Sequence, residues 1–337
     1  MTSSLFLLQL CWLGMVVGLK EPQVVNHMAC DEPIGCQNSH LKQLLEKARS
    51  TKSVSFLLLK NQQLLVDLNP ESEPLETHSI TKSIVSLGIG ILIDQGKIDS
   101  VDQPVSDWYP EWRHGLKQQI TLRNLLTHTS GLDAKSSGAE VYQHTDCIEF
   151  ALTADLVSTP GEAFFYNNKA VNLLSGIIEK VTGKRADLWI QEQLFAPLDI
   201  EEASWSLDPS GHAYAHAGLK MRAKELAKIG QLIANQGKWN GRRLISKEWL
   251  AMAMQPQPSQ GSCGGSCGFL WWIWDDPTPL YAAIGYGGQY LIVIPGSSIV
   301  VVRQTQGTDA SSSFDELPEL LIEVTKKEQN VRSLSES

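Results

Sequence analysis

Apolar and polar positions divide the chain into three stretches. Residues 40–49 repeat apolar side chains at helical spacing and predict a helix. Residues 54–59 and 63–68 are two apolar runs joined by the turn-like Lys60-Asn61-Gln62, which predicts a β-hairpin. From Ser79 to Gly96 the chain is apolar on nearly every side, as in a helix buried within a large protein. The middle then holds helical stretches at 122–126, 169–182, 186–194 and 223–235, broken by Gly and Pro. The last third changes period. Residues 269–274, 281–284, 289–294 and 298–304 are β-branched and aromatic runs separated by Pro-Thr-Pro, Gly-Gly and Pro-Gly-Ser, so successive antiparallel strands are expected. The tryptophans Trp271, Trp272 and Trp274 fall in the first of these, where packing is their default role. Residues 316–326 close with a helix. Early strands, a helical middle and late strands predict one α+β domain over 40–326, its N- and C-terminal parts sharing a sheet and its middle inserted.

Composition narrows the classes. Of 337 residues, 42% are apolar, enough for a substantial core. Lys and Arg total 28 against 37 Asp and Glu, a net charge of -9 with no basic cluster, which argues against a nucleic-acid partner. Residues 5–19 form an apolar run shorter than the roughly 18 to 20 residues a bilayer requires. It has the form of a secretion signal with small residues ahead of a cut after Gly18, so residues 1–18 are expected to be a leader, the alternative being an uncleaved anchor, with the protein secreted or periplasmic and no stable membrane insertion beyond the signal. Residues 327–337 are polar and expected to form a flexible tail. Besides Cys11 in the leader there are five cysteines. In an oxidising compartment Cys30 with Cys36 and Cys263 with Cys267 are close enough to bridge locally, leaving Cys147 as a small buried hydrophobe, though connectivity stays open. None of these spacings is that of a zinc site, so no metal is expected. His212 and His216 are four apart but flanked by Gly211 and Gly218, which predicts surface histidines.

Ser79 and Lys82 stand three apart at the start of the apolar helix, so their side chains project from one face into the same space. A serine hydroxyl is a weak nucleophile until a neighbouring base takes its proton, and a desolvated lysine of lowered pKa can take it. The helix N-terminus adds positive potential near a developing oxyanion. Ser-x-x-Lys also recurs by chance, and Ser79 alone fits a plain N-cap. Two further elements accompany it. Tyr166-Asn167-Asn168 follows Pro160-Gly161-Glu162 on a loop between helices, offering a phenol that can share protons with the lysine and an amide, Asn168, that can hold a substrate carbonyl. The run Ala283-Ile284-Gly285-Tyr286-Gly287-Gly288-Gln289 joins a strand to a tight glycine turn, where a backbone N–H can form half of an oxyanion hole.

In this order the elements resemble the serine β-lactamase-related and penicillin-binding superfamily, which includes class C β-lactamases, D-alanyl-D-alanine carboxypeptidases, esterases and 6-aminohexanoate-dimer hydrolases. The resemblance spans His40 to Lys326. It rests on Ser79-Ile80-Thr81-Lys82 leading into Gly96-Lys97-Ile98, on Ile120-Thr121-Leu122-Arg123-Asn124-Leu125-Leu126-Thr127-His128-Thr129-Ser130-Gly131-Leu132, and on Pro160-Gly161 ahead of Tyr166-x-Asn168. Ala227-Lys228-Ile229-Gly230 running to Gly237-Lys238-Trp239-Asn240-Gly241 completes it. It implies a β-lactamase/transpeptidase-like fold and an acyl-enzyme on Ser79, with Lys82 and Tyr166 moving its proton and Asn168 touching substrate. The family's third motif is Lys or His, then Thr or Ser, then Gly; here it reads Ala283, Ile284, Gly285, so only Gly285 is kept and Tyr286 would supply the oxyanion N–H. His128 matches a signature position, but Thr127, Thr129 and Ser130 around it favour a turn-stabilising role. Arg303, on the strand after the turn, could by alternation point at the cleft and replace the missing cation, although a solvated or salt-bridged position is the commoner habit of that side chain. The expected activity is a serine hydrolase acting on a small ester, amide or peptide without metal or organic cofactor; the alternative is a catalytically silent binding protein on the same fold.

Overall fold

In a computed structural model of the chain, the described residues are 39–135, 138–257, 266–275, 278–306, 314–323 and 325. The leader, Cys30, Cys36, Cys263 and the 327–337 tail lie outside them. Helix α1 (Ser39–Ser50) leads into the hairpin β1 (Ser53–Lys60) and β2 (Gln63–Asp67), then β3 (Leu75–Glu76) enters α2 (Ile80–Asp94). The middle carries α3 (Leu122–Leu126), α4 (Gly138–Val141), α5 (Cys147–Thr153), α6 (Asn168–Thr182) and α7 (Ala186–Ile190), then β4 (Ala203–Trp205) and β5 (Leu219–Met221). Next come α8 (Ala223–Ala234), β6 (Lys238–Trp239), β7 (Arg242–Arg243) and α9 (Lys247–Ala253). The strands β8 (Ser266–Cys267), β9 (Trp272–Trp274), β10 (Leu280–Gly285), β11 (Gln289–Ile294) and β12 (Ile299–Thr305) follow, and residues 317–323 are helical.

The main sheet runs β2-β1-β12-β11-β10-β9-β8, every pairing antiparallel. β1 meets β12 from Ser53 opposite Thr305 to Lys60 opposite Ile299, so the two ends of the domain share one sheet as expected. Both faces of this sheet are covered, which is why residues 290–294 of β11 and 299–302 of β12 read as unbroken apolar runs instead of alternating. Leu291, Val293, Val300 and Val302 face the large core with α2, α6 and α8, while Tyr290, Ile292, Ile299 and Val301 face a smaller core closed by α1 and the 317–323 helix. Among the described residues no helix is long and apolar enough to cross a membrane.

Helix α2 is apolar all round because it is buried all round, from Ile80 to Leu92. Its Gly90 leaves a slot for Trp249 of α9: a Cβ there would lie 2.3 Å from the indole. Gly90→Ala is therefore expected to lower stability by about 1–3 kcal/mol, the usual cost of overpacking, even though alanine is the better helix former. Urea denaturation checks this, and an unchanged midpoint would show that the slot has room.

Two expectations need correction. The predicted strand at 269–274 is a strand only at β9, because Leu270 takes a left-handed backbone (φ 62°) and its N–H donates to the Leu126 carbonyl at 2.9 Å, folding 268–271 into the core. The predicted helix at 186–194 stops at Ile190, where 191–195 widen into a π-helical turn. The small sheets β3-β5-β4 and β6-β7 are made of two- and three-residue strands, too short to show a period in the sequence.

Candidate active site

The segment before α2 is fixed from both ends. Thr77 donates its N–H and its hydroxyl to the Leu219 carbonyl of β5, each at 2.9 Å. His78 follows with φ 48°, a left-handed conformation that costs a non-glycine residue free energy and that surrounding structure must hold. Ser79 then caps α2, and its side chain makes no capping bond, which leaves the hydroxyl to other partners.

Lys82, one turn on, is that partner. Its Nζ donates to Ser79 Oγ at 3.0 Å and to the His216 carbonyl at 2.6 Å, and lies 4.8 Å from the centre of the Tyr166 ring. Only 2% of Lys82 is exposed, and among the described residues no carboxylate pairs with it. Burial pushes its pKa down, and the charge and hydrogen bond of the Tyr166 phenol pull part of that back. A lysine so placed can take a proton from Ser79.

His216 is a correction: it is not a surface histidine but 2% exposed. Asn172 of α6 draws its loop inward, Oδ1 accepting from the N–H groups of Ala215 at 2.9 Å and His216 at 3.1 Å. The atom that meets Lys82 is a backbone carbonyl, which has no signature in a sequence. His212 is likewise part of the structure, its Nδ1 2.8 Å from Glu179 and its Nε2 3.7 Å from Asp146, with the Asp208 carboxylate accepting its N–H. The Glu179 hydrogen bond raises the His212 pKa above 6.5 against burial, helped by the charges of Glu179, Asp208 and Asp146. A raised folded pKa stabilises below the unfolded value and that gain is lost as pH rises through the folded one. The Tm difference between wild type and His212→Gln should therefore be largest below about pH 6 and shrink on the alkaline side. His128 and His216, which burial holds neutral with pKa about 3, weaken the fold in acid but cancel in that difference. A difference independent of pH would show that the Glu179–His212 interaction adds no stability.

Tyr166 is set between Lys82 and His128. His128 has φ 56°, its carbonyl accepts from Phe165 N–H at 2.9 Å, and its Nδ1 accepts from Asn167 N–H at 3.2 Å. Its ring lies 4.5 Å from Tyr166 and 5.6 Å from Phe164. The imidazole thus holds the tyrosine's segment as well as its own turn. Asn167 completes the anchor, capping α6 through Ala170 N–H at 3.0 Å and donating to the Leu132 carbonyl at 3.0 Å. Asn168 opens α6, partly exposed, with its amide facing Gly138, and it does not line the cavity at Ser79.

On the opposite wall β10 ends at Gly285, where a Cβ would lie 2.3 Å from the Thr77 carbonyl, so only glycine allows this approach. Tyr286 follows, 65% exposed, its ring edge-on to His78 at 6.0 Å. The segments that carry Ser79 and Tyr286 are thereby brought together. Arg303 does not face the cleft. It is fully buried, donating to Gly288 O at 2.5 Å, Ser53 Oγ at 2.8 Å and Thr51 O at 2.8 Å, because the turn and the β1 end supply acceptors that a buried guanidinium must have. Ala283 is sealed in the large core, and it is Ile284 that lines the cavity at Ser79, with Phe164, Leu270, Trp271 and Trp272. That cavity is about 20 Å³, apolar and narrow. Cys267 at its edge is disulfide-bonded, while Cys147 is a buried free thiol, as expected.

The model of the Beta-lactamase family matches residues 39–326. The 6-aminohexanoate-dimer hydrolase of Paenarthrobacter ureafaciens is 25% identical over 303 residues, 80% of this chain and 77% of that one. Esterase EstB of Burkholderia gladioli is 29% identical over 156 residues, covering 40% of this chain and 39% of the esterase. Among solved structures, a family VIII carboxylesterase superposes with a TM-score of 0.70 at 18% identity, covering 86% of this chain and 97% of its own. The α+β, β-lactamase/transpeptidase-like fold expected from the sequence is the fold observed.

Proposed function

Because the chain belongs to the Beta-lactamase family, we propose that it is a serine hydrolase cleaving an ester or amide bond through an acyl-enzyme on Ser79. The observation that carries this reading is the buried Lys82 ammonium nitrogen 3.0 Å from Ser79 Oγ with no carboxylate partner among the described residues. Ser79 Oγ attacks the carbonyl carbon as Lys82 takes its proton. The N–H groups of Ser79 and Tyr286 hold the oxyanion, and Tyr166 passes the proton to the leaving oxygen or nitrogen as its bond to carbon breaks. Water then adds to the acyl carbon by the same relay, releasing the acid and restoring the serine. The disulfide at Cys267 supports work in an oxidising compartment, secreted or periplasmic.

Small acyl esters and amides that carry no lone carboxylate fit best. Ala283 is sealed, Arg303 is engaged behind the turn, and neither offers a lone substrate carboxylate the partner that penicillins require. One missing charge-assisted hydrogen bond is worth about 1.5–3 kcal/mol, or about ten- to a hundredfold. The expected result is a kcat/KM for p-nitrophenyl acetate or butyrate above that for nitrocefin by at least this factor. Efficient nitrocefin hydrolysis would overturn the substrate preference, and failure to hydrolyse any ester together with no fluorophosphonate adduct would overturn the hydrolase reading.

A further inference from the structure

A second cavity of about 210 Å³, ten times the first, lies on the other side of His78. It sits where the small sheet meets the ends of β11 and β12. Its floor is Gln289 and Thr305, locked together by Gln289 Nε2 donating to the Thr305 carbonyl at 2.6 Å and Thr305 N–H donating to Gln289 Oε1 at 3.2 Å. Its walls carry Glu76, His78 and Lys220. Glu76 and Lys220 are register partners on β3 and β5, so their side chains leave the same face of that small sheet. Among the described residues they form no ion pair with each other; Glu76 lies 3.8 Å from His78, and Lys220 has no carboxylate within 4.0 Å. A carboxylate and an ammonium standing side by side, both turned to one cavity, repel any ligand of a single charge as much as they attract it. They match a ligand that carries both charges close together.

We propose that this cavity is a second substrate subsite, which receives a zwitterionic, amino-acid-like end of the acyl chain, Glu76 taking its ammonium and Lys220 its carboxylate. The inference rests on Ser79 being the nucleophile. His78, which lines this cavity, directly precedes Ser79, and Tyr286, whose N–H serves the oxyanion, packs its ring on His78, so the cavity borders the residues that flank the reacting carbonyl. The apolar cavity at Ser79 has room for little more than one water, so a longer acyl group must extend elsewhere. The second cavity, about 210 Å³ by the same measure, leaves space for such an end.

Four p-nitroanilides of similar chain length test this: γ-glutamyl, glutaryl, 4-aminobutyryl and butyryl. The γ-glutamyl compound alone carries both charges, and its kcat/KM should exceed that of the butyryl compound by about tenfold or more, chiefly through KM, with the singly charged compounds gaining nothing. The preference should fall at high salt, since Glu76 and Lys220 are exposed. Glu76→Gln and Lys220→Gln should each bring the γ-glutamyl to butyryl ratio close to one. Should the anilides turn over too slowly to compare, protection of Ser79 from a fluorophosphonate by free glutamate, set against glutarate, 4-aminobutyrate and butyrate, reads the same preference. Equal kcat/KM or equal protection across the four, with Ser79 still labelled, overturns the subsite and leaves the hydrolase intact. Loss of labelling and of all turnover overturns the hydrolase first.

Discussion

Ser79→Ala is expected to lose turnover by at least about 10⁴-fold while keeping its fold, as removal of a nucleophile does in serine hydrolases. The hydroxyl makes no capping bond to α2, and Lys82 keeps its bond to the His216 carbonyl when the hydroxyl is gone. Alanine is moreover a better helix former than serine, so Tm should change little. Intact-mass analysis after fluorophosphonate treatment should show one adduct in the wild type and none in the variant. An adduct that persists in Ser79→Ala would place the nucleophile elsewhere.

Lys82→Ala and Tyr166→Phe should each cost on the order of 100-fold or more in turnover, and the double variant little more than the worse single one. The geometry makes them one device: the ammonium sits 4.8 Å from the phenol's ring centre, and the phenol opposes the fall in lysine pKa that burial produces. A double variant losing the product of both factors would mean that they work separately. The pH profile adds a test of sign. Attack requires neutral Lys82, so activity rises with pH through the lysine's pKa. Removing the phenol oxygen takes away a stabiliser of the ammonium and lowers that pKa further. The acid limb of the residual activity in Tyr166→Phe should therefore move to lower pH; a limb that stays put would detach Tyr166 from the lysine.

Much of this was readable in the sequence because it is local or periodic. Ser79 and Lys82 stand three positions apart at the start of one helix, so their meeting follows from helix geometry alone. Burial of α2 on all sides and of the main sheet on both faces writes itself as continuous apolar runs. What escaped depends on distant parts of the chain. The His216 carbonyl reaches Lys82 only because Asn172 holds its loop. Arg303 sits on a strand whose alternation says nothing of the acceptors behind the turn. His128 was legible as a turn residue, yet its hold on the Tyr166 segment needs an N–H nearly forty positions away. Glu76 and Lys220 lie on strands of two and three residues, so neither their pairing nor the cavity beside them leaves a pattern.

The pairing of β1 with β12 has a bearing on how activity first arises. Contacts between the two ends of a domain form late, since the entropy of closing so long a loop must be met before they return any stability. The approach of Gly285 to the Thr77 carbonyl is of the same long-range kind, and it sets one wall of the cleft. A growing or refolding chain can thus hold Ser79 and Lys82 on a formed helix well before Tyr286 arrives to complete the proposed oxyanion site. On the proposed mechanism Ser79 stays chemically idle until the last strands dock, and reactivity toward a covalent probe is then expected to mark the end of folding.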